Sequence, residues 1–152
     1  MRELVFALEF RGRAWTVPGS DSKRQARSIA PSQTLSTILG PDGVHARVDA
    51  ANGASAVLES RVERFGDGTF VEDGRITYGT GAAVSFETIG RGWIRPAPLP
   101  GWVVGGVLWT VTAGDGAFAS ARGLIKSNFT ASADGEVIDN HFVRLYLPDD
   151  IA

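Results

Sequence analysis

Short runs in which apolar and polar residues alternate fill most of this chain, and glycine-containing dipeptides punctuate them. Asp42-Gly43, Asn52-Gly53, Asp67-Gly68, Asp73-Gly74 and Asp134-Gly135 are hairpin or turn signals. The runs are Leu4 to Val17, Val44 to Ala50, Ala56 to Phe65, Thr69 to Tyr78, Ala83 to Ile94, Trp102 to Val111, Ala121 to Thr130 and Glu136 to Leu147. In Ala56 to Phe65 the alternation is plain: Glu59, Arg61 and Glu63 against Leu58, Ser60 and Val62. Period-2 patterning of this kind predicts strands, so the fold class is all-β. Eight consecutive strands can close into an antiparallel up-and-down barrel of calycin type, of a size that holds one small ligand or fills itself with side chains. A two-sheet sandwich is the alternative that the same strand count allows.

Two segments interrupt the regularity. Pro18 to Leu39 is polar through Lys23-Arg24-Gln25-Ala26-Arg27 and reads as one long connection after the first strand, a loop or short surface helix placed as a lid over one mouth. Its end, Ser32 to Leu39, fits a capped helix or a strand equally. Arg95-Pro96-Ala97-Pro98-Leu99-Pro100-Gly101 is a stiff, extended crossing.

Gly114 to Gly123 reads G-D-G-A-F-A-S-A-R-G between two apolar runs. A hairpin turn at Gly114 to Ala117 explains the glycines, Phe118 can fold back as an apolar plug, and Ala121 and Gly123 leave room for close approach. A dinucleotide loop would place a third glycine where Ala119 stands and open a helix, whereas Leu124 to Thr130 is strand-like. The spacing G-x-G-x-F-x-x-A-x-G resembles the allene oxide cyclase and dirigent barrel superfamily over Gly79 to Pro148. Dirigent proteins carry Gly-Gly-Thr-Gly at its start, and this chain has Ala113-Gly114-Asp115-Gly116 instead. The resemblance implies an eight-stranded barrel, a homo-oligomer, and either a cofactor-independent isomerase, cyclase or lyase or a guide for a small apolar molecule.

Composition trims the field. The 152 residues suit a single domain spanning 1–152, and 43% hydrophobic content excludes disorder over most of the length. A net charge of −2 with interspersed signs leaves no footprint for nucleic acid. Without cysteine there is no disulfide, thiolate nucleophile or cysteine metal site, and no acidic ladder resembles a calcium loop. No metal and no cofactor are expected. No run approaches the roughly 20 apolar residues of a membrane helix. Glu9 and Arg11 break the first apolar run, so no signal peptide and a cytoplasmic location are expected.

Candidate chemistry is sparse. Of two histidines, His45 beside Arg47 and Asp49 reads as a surface residue. A two-residue turn at Asp134-Gly135 would set Asn128 opposite His141 and Thr130 opposite Asp139, putting Lys126, Asn128, Asp139 and His141 on one face. A histidine, a nearby carboxylate and an orienting amide can move a proton, so His141 and Asn128 are the catalytic candidates. Lys126 and Asp139 join Tyr78, Trp93 and Trp109 as candidate ligand-binding residues, the aromatics as pocket wall. The opposite face, with Ile125, Ser127, Phe129, Phe142, Arg144 and Tyr146, suits a lumen too, and solvent suits the first. Glu9 resembles the lumen glutamate of allene oxide cyclases, but if Leu4, Phe6, Leu8 and Phe10 are core, alternation turns it outward. Two functions follow: a cofactor-free enzyme acting on a small hydrophobic molecule, or a non-catalytic lipocalin-like binding protein.

Overall fold

The computed structural model describes residues 1–149, so Asp150 to Ala152, part of the expected 1–152 domain, lie outside the described residues. Eleven strands and no helix are present among them. In chain order they are β1 (Arg2–Thr16), β2 (Lys23–Ala30), β3 (Gln33–Gly40), β4 (Gly43–Ala50), β5 (Ala56–Arg64), β6 (Thr69–Tyr78), β7 (Ala82–Thr88), β8 (Gly92–Pro96), β9 (Trp102–Gly116), β10 (Arg122–Ser132) and β11 (Glu136–Leu147). Eight of them, β1, β2, β5, β6, β7, β9, β10 and β11, pair antiparallel with their successors. β1 closes the ring on β11 from Arg2↔Leu147 to Arg13↔Glu136. Closure removes the free edges that a sandwich would keep. The fold is therefore an eight-stranded antiparallel up-and-down barrel, as the alternation implied.

The second strand is not the expected one. Lys23–Ala30 pairs with β1 and β5, placing Arg24, Ala26, Ser28 and Ala30 inward. These inward residues are small or charged, so the run carries no apolar stripe. The Pro18 to Leu39 lid accordingly dissolves into a turn, a barrel strand and half of a hairpin. Val44–Ala50 leaves the wall instead, pairing only with β3 as an arm. Gln33 holds the arm's base, accepting from Glu9 N at 2.7 Å and donating to Glu9 O at 3.2 Å. Glu9 itself faces outward and pairs with Arg11, as alternation required.

Ala83 to Ile94 likewise divides. β7 ends at Thr88, and β8 turns across one end of the barrel to pair with β9 and with Thr69 and Phe70 of β6. Gly92 lies flat on Phe70, and a Cβ there would sit 2.4 Å from the ring. The signature glycines also act differently from the turn expected at Gly114 to Ala117. Gly114 is in β9, where a Cβ would come 1.9 Å from Phe118 O, and the turn itself follows at residues 117 to 120. Phe118 does fold back, meeting Tyr78 edge-on at 5.6 Å.

The core is the lumen itself. Phe10, Phe70, Ile76, Val84, Phe86, Val107, Trp109, Ile125, Val143 and Leu145 are fully buried inside the ring. Trp109 stacks on Phe86 at 4.0 Å between centroids. Most of the interior is therefore solid side chain. Space remains at both ends: a cavity by β8 and a shallower apolar concavity by Tyr78 and Phe118.

Candidate functional site

The hairpin expected to hold the site has a register one residue away from the two-residue-turn pairing. Ser127 lies opposite His141, Asn128 opposite Asn140, and Phe129 opposite Asp139. The loop is longer: Gly135 N donates to Ser132 O, and Glu136 N donates to Ser132 Oγ, so the side chain takes a position that a tight turn would give to backbone. In an antiparallel pair, opposed residues share a face, so the one-residue shift exchanges the β10 partners. Asp139 and His141 point into the lumen with Ser127, while Lys126 and Asn128 stand exposed outside. The expected cluster of Lys126, Asn128, Asp139 and His141 does not form.

A different one does. Ser127 Oγ donates to Asp139 Oδ1 at 2.6 Å, and His141 Nε2 lies 2.9 Å from Asp139 Oδ2. A carboxylate accepts from Nε2–H, which leaves Nδ1 as the ring nitrogen still to be partnered. That Nδ1 is buried and has no hydrogen-bond partner among the described residues. The ring lies against Phe10 at 4.5 Å and meets Trp109 edge-on at 5.2 Å. Serine and histidine both hold the same aspartate, so the trio is not a nucleophile relay, in which serine would bond to histidine.

Glu72, absent from the sequence-based candidates, lines the same space as Asp139. Its β6 neighbours Phe70, Ile76 and Tyr78 are inward by alternation, and Glu72 shares their phase. Ser60 Oγ donates to Glu72 Oε2 at 2.6 Å. Thr88 Oγ1 accepts from Glu72 N and donates to Glu72 O, both at 2.7 Å, pinning the backbone where β6 outlasts its pairing with β7. Burial pushes the Glu72 carboxyl up to about 8, with the Asp139 and Asp73 charges adding to the effect and the Ser60 hydrogen bond opposing it. At neutral pH Glu72 is thus an uncharged acid beside an acceptor carboxylate. Two carboxyls whose surroundings separate their roles make an acid–base pair.

A cavity of about 80 Å³ opens above these groups at the β8 end of the barrel. Leu58, Val62, Phe70, Ile94, Phe129 and Val137 wall it, Glu72 and Asp139 reach it from below, and Arg24 and Arg64 stand at it. A wider concavity, about 730 Å³, lies on the outer wall among Arg27, Glu59, Arg61 and Asp73. Arg27 pairs there with Glu59 and Arg61 with Asp73, and neither Glu72 nor Asp139 lines it, so the smaller internal cavity is the candidate site.

The remaining expected residues scatter. Trp109 is in the lumen wall but deeper, against Phe86 and His141. Tyr78 sits at the opposite end with Phe6 and Phe118, its hydroxyl buried, without a hydrogen-bond partner among the described residues, and held protonated by burial. Trp93 is 44% exposed on the outer side of β8, its ring 5.5 Å from Arg95. His45 is on the arm, exposed, 4.0 Å from Asp42. Among the described residues no group of three or more His, Asp or Glu is placed to hold a metal ion, and no helix is long and apolar enough to cross a membrane.

No family model matches the chain, and no curated protein matches its sequence. Among solved structures, it is similar to the pterocarpan synthase dirigent protein GePTS1. That likeness spans 97% of this chain and 90% of the other, with a TM-score of 0.51 and 14% identity. At that identity the match bears on fold alone: this chain has a dirigent-like barrel.

Proposed function

We propose that the β8 end of the barrel binds a small, largely apolar organic molecule, and that Glu72 and Asp139 exchange protons with it. The observation that carries the reading is that Glu72, whose carboxyl burial pushes up to about 8, and Asp139 line the same apolar-walled cavity. Glu72 serves as the proton donor. Asp139, oriented by Ser127 and backed by His141, serves as the acceptor, and no cofactor takes part. This is the chemistry of a cofactor-independent isomerase or cyclase. The solved dirigent protein with a similar fold is named a synthase, which supports a small organic ligand at the level of the fold only.

One observation favours the second reading, a non-catalytic binding protein. A cavity of about 80 Å³ is roughly half the ~150 Å³ that accepts benzene in an engineered core. A ligand must therefore seat only its end inside, or move Phe129 or Ile94. We further propose that the barrel assembles with copies of itself, since Val5, Leu124 and Phe142 leave an apolar band uncovered on β1, β10 and β11.

The test is native mass spectrometry of the purified protein for a co-purified small molecule, repeated on Ala131→Leu, which fills the cavity, and on Asn128→Ala, which alters only the outer wall. Loss of the adduct in the first and retention in the second support the lumen. The reverse pattern refutes it. An adduct that then turns over in the parent but not in Glu72→Gln separates the enzyme from the carrier.

A further inference from the structure

We infer that the ligand of this cavity carries an anionic oxygen group, held at the rim by the paired guanidiniums of Arg24 and Arg64. The inference rests on the lumen reading above and names the class of molecule it takes, an apolar body with a single carboxylate or comparable oxyanion.

Both arginines occupy inward positions, Arg24 in phase with Ala26 and Ser28 on β2, and Arg64 in phase with Leu58, Ser60 and Val62 on β5. The strand register places Arg24 opposite Val62, two residues from Arg64 on the neighbouring strand. Inward arginines in a small barrel are costly unless matched by an acid. Yet neither has a carboxylate within 4.0 Å among the described residues, although ten ion pairs form elsewhere. Among the described residues Arg24 donates only to Thr16 Oγ1, at 3.0 Å. The Nε of Arg64 is buried with no hydrogen-bond acceptor among the described residues. Burial first, and the Arg24 charge second, both disfavour the charged form of Arg64. Glu72, opposite Val62 on the neighbouring strand, has its carboxyl pushed up to about 8 by burial and so offers little negative charge at neutral pH.

Two unmatched cations over an apolar-walled cavity are what an incoming oxyanion would relieve. A guanidinium offers planar donors that fit a carboxylate, and here one of those donors already lacks an acceptor. The body of such a ligand would lie along Val62, Phe70 and Ile94 and bring its inner end toward Glu72.

Phenylacetate and phenylacetamide share size and shape and differ in charge, so calorimetric titration with both isolates the anion. The wild-type protein should bind phenylacetate at least about tenfold more tightly, the scale of one charge-assisted hydrogen bond. In Arg24→Gln/Arg64→Gln the ratio should fall to within about twofold of one while phenylacetamide affinity is kept, as a charge-assisted term predicts. Each single variant should lie between, which covers the case where the double variant does not fold. If phenylacetamide binds and the wild type shows no preference, or the preference survives in the variants, the anion site is wrong and the lumen reading stands. If neither probe binds, or if both still bind to Ala131→Leu, the lumen reading fails and the anion site fails with it.

Discussion

Replacing Glu72 with glutamine should flatten the dependence of stability on pH across the neutral range. The carboxyl has an ordinary value of 4.5 and is pushed up to about 8 in the fold. Between those values the unfolded chain has released the proton and the folded chain keeps it. Stability then falls as pH rises, by about 1.4 kcal/mol per pH unit. The contribution is complete below pH 4.5, and by pH 8 roughly 5 kcal/mol has been lost, an upper limit because Glu72 is only partly buried. Glutamine keeps the shape and the Ser60 contact and has no proton to lose. Urea unfolding of both proteins at pH 5, 6, 7 and 8 gives the two slopes. Every other side chain is common to the two proteins, so the difference between the curves isolates position 72. The wild type should lose stability more steeply than Glu72→Gln by up to the stated slope, with the gap closing at acid pH. Parallel curves would refute the argument that Glu72 is neutral at physiological pH.

Other outcomes follow from the same geometry. Gly114→Ala should cost about 1–3 kcal/mol in the same unfolding assay, because its Cβ would press on Phe118 O at 1.9 Å. Gly106→Ala, whose Cβ meets nothing nearer than 3.4 Å, should be close to neutral. Arg64→Leu should raise the melting temperature of ligand-free protein, since it removes a desolvated cation beside Arg24, and a fall would show that Arg64 is structural. Phe142→Asp, at a residue 55% exposed on the outer wall, should shift the sedimenting species to the 16.1 kDa monomer, and a wild type that already sediments there would refute the assembly.

The barrel was legible because its wall obeys alternation wherever the inward side chains are large. Where they are not, the reading failed. β2 turns Ala26, Ser28 and Ala30 inward and so imitates a loop, and Val44–Ala50 alternates well enough to take its place although nothing in the barrel pairs with it. Pairing partners are non-local, and a period of two says only that a strand exists. The site was half legible. Asp139 and His141 share a face by simple parity, whichever way the hairpin turns. Their β10 partner depended on a loop whose extra residue is stabilised by the Ser132 hydroxyl, and a dipeptide signal does not carry that. Glu72, Arg24 and Arg64 were readable in principle, each in phase with core residues on its strand. Charged residues at core phase are the sequence trace of this site, a weaker signal than a lone histidine or a surplus of tryptophan.

Amide chemical-shift mapping with phenylacetamide tests the central claim most directly, because the probe carries no charge and reports position alone. The account predicts shifts concentrated on cavity-lining residues, namely Leu58, Phe70, Glu72, Ala131, Val137 and Asp139. Shifts confined to the outer concavity around Arg27, Arg61 and Asp73, with the lumen silent, would contradict it.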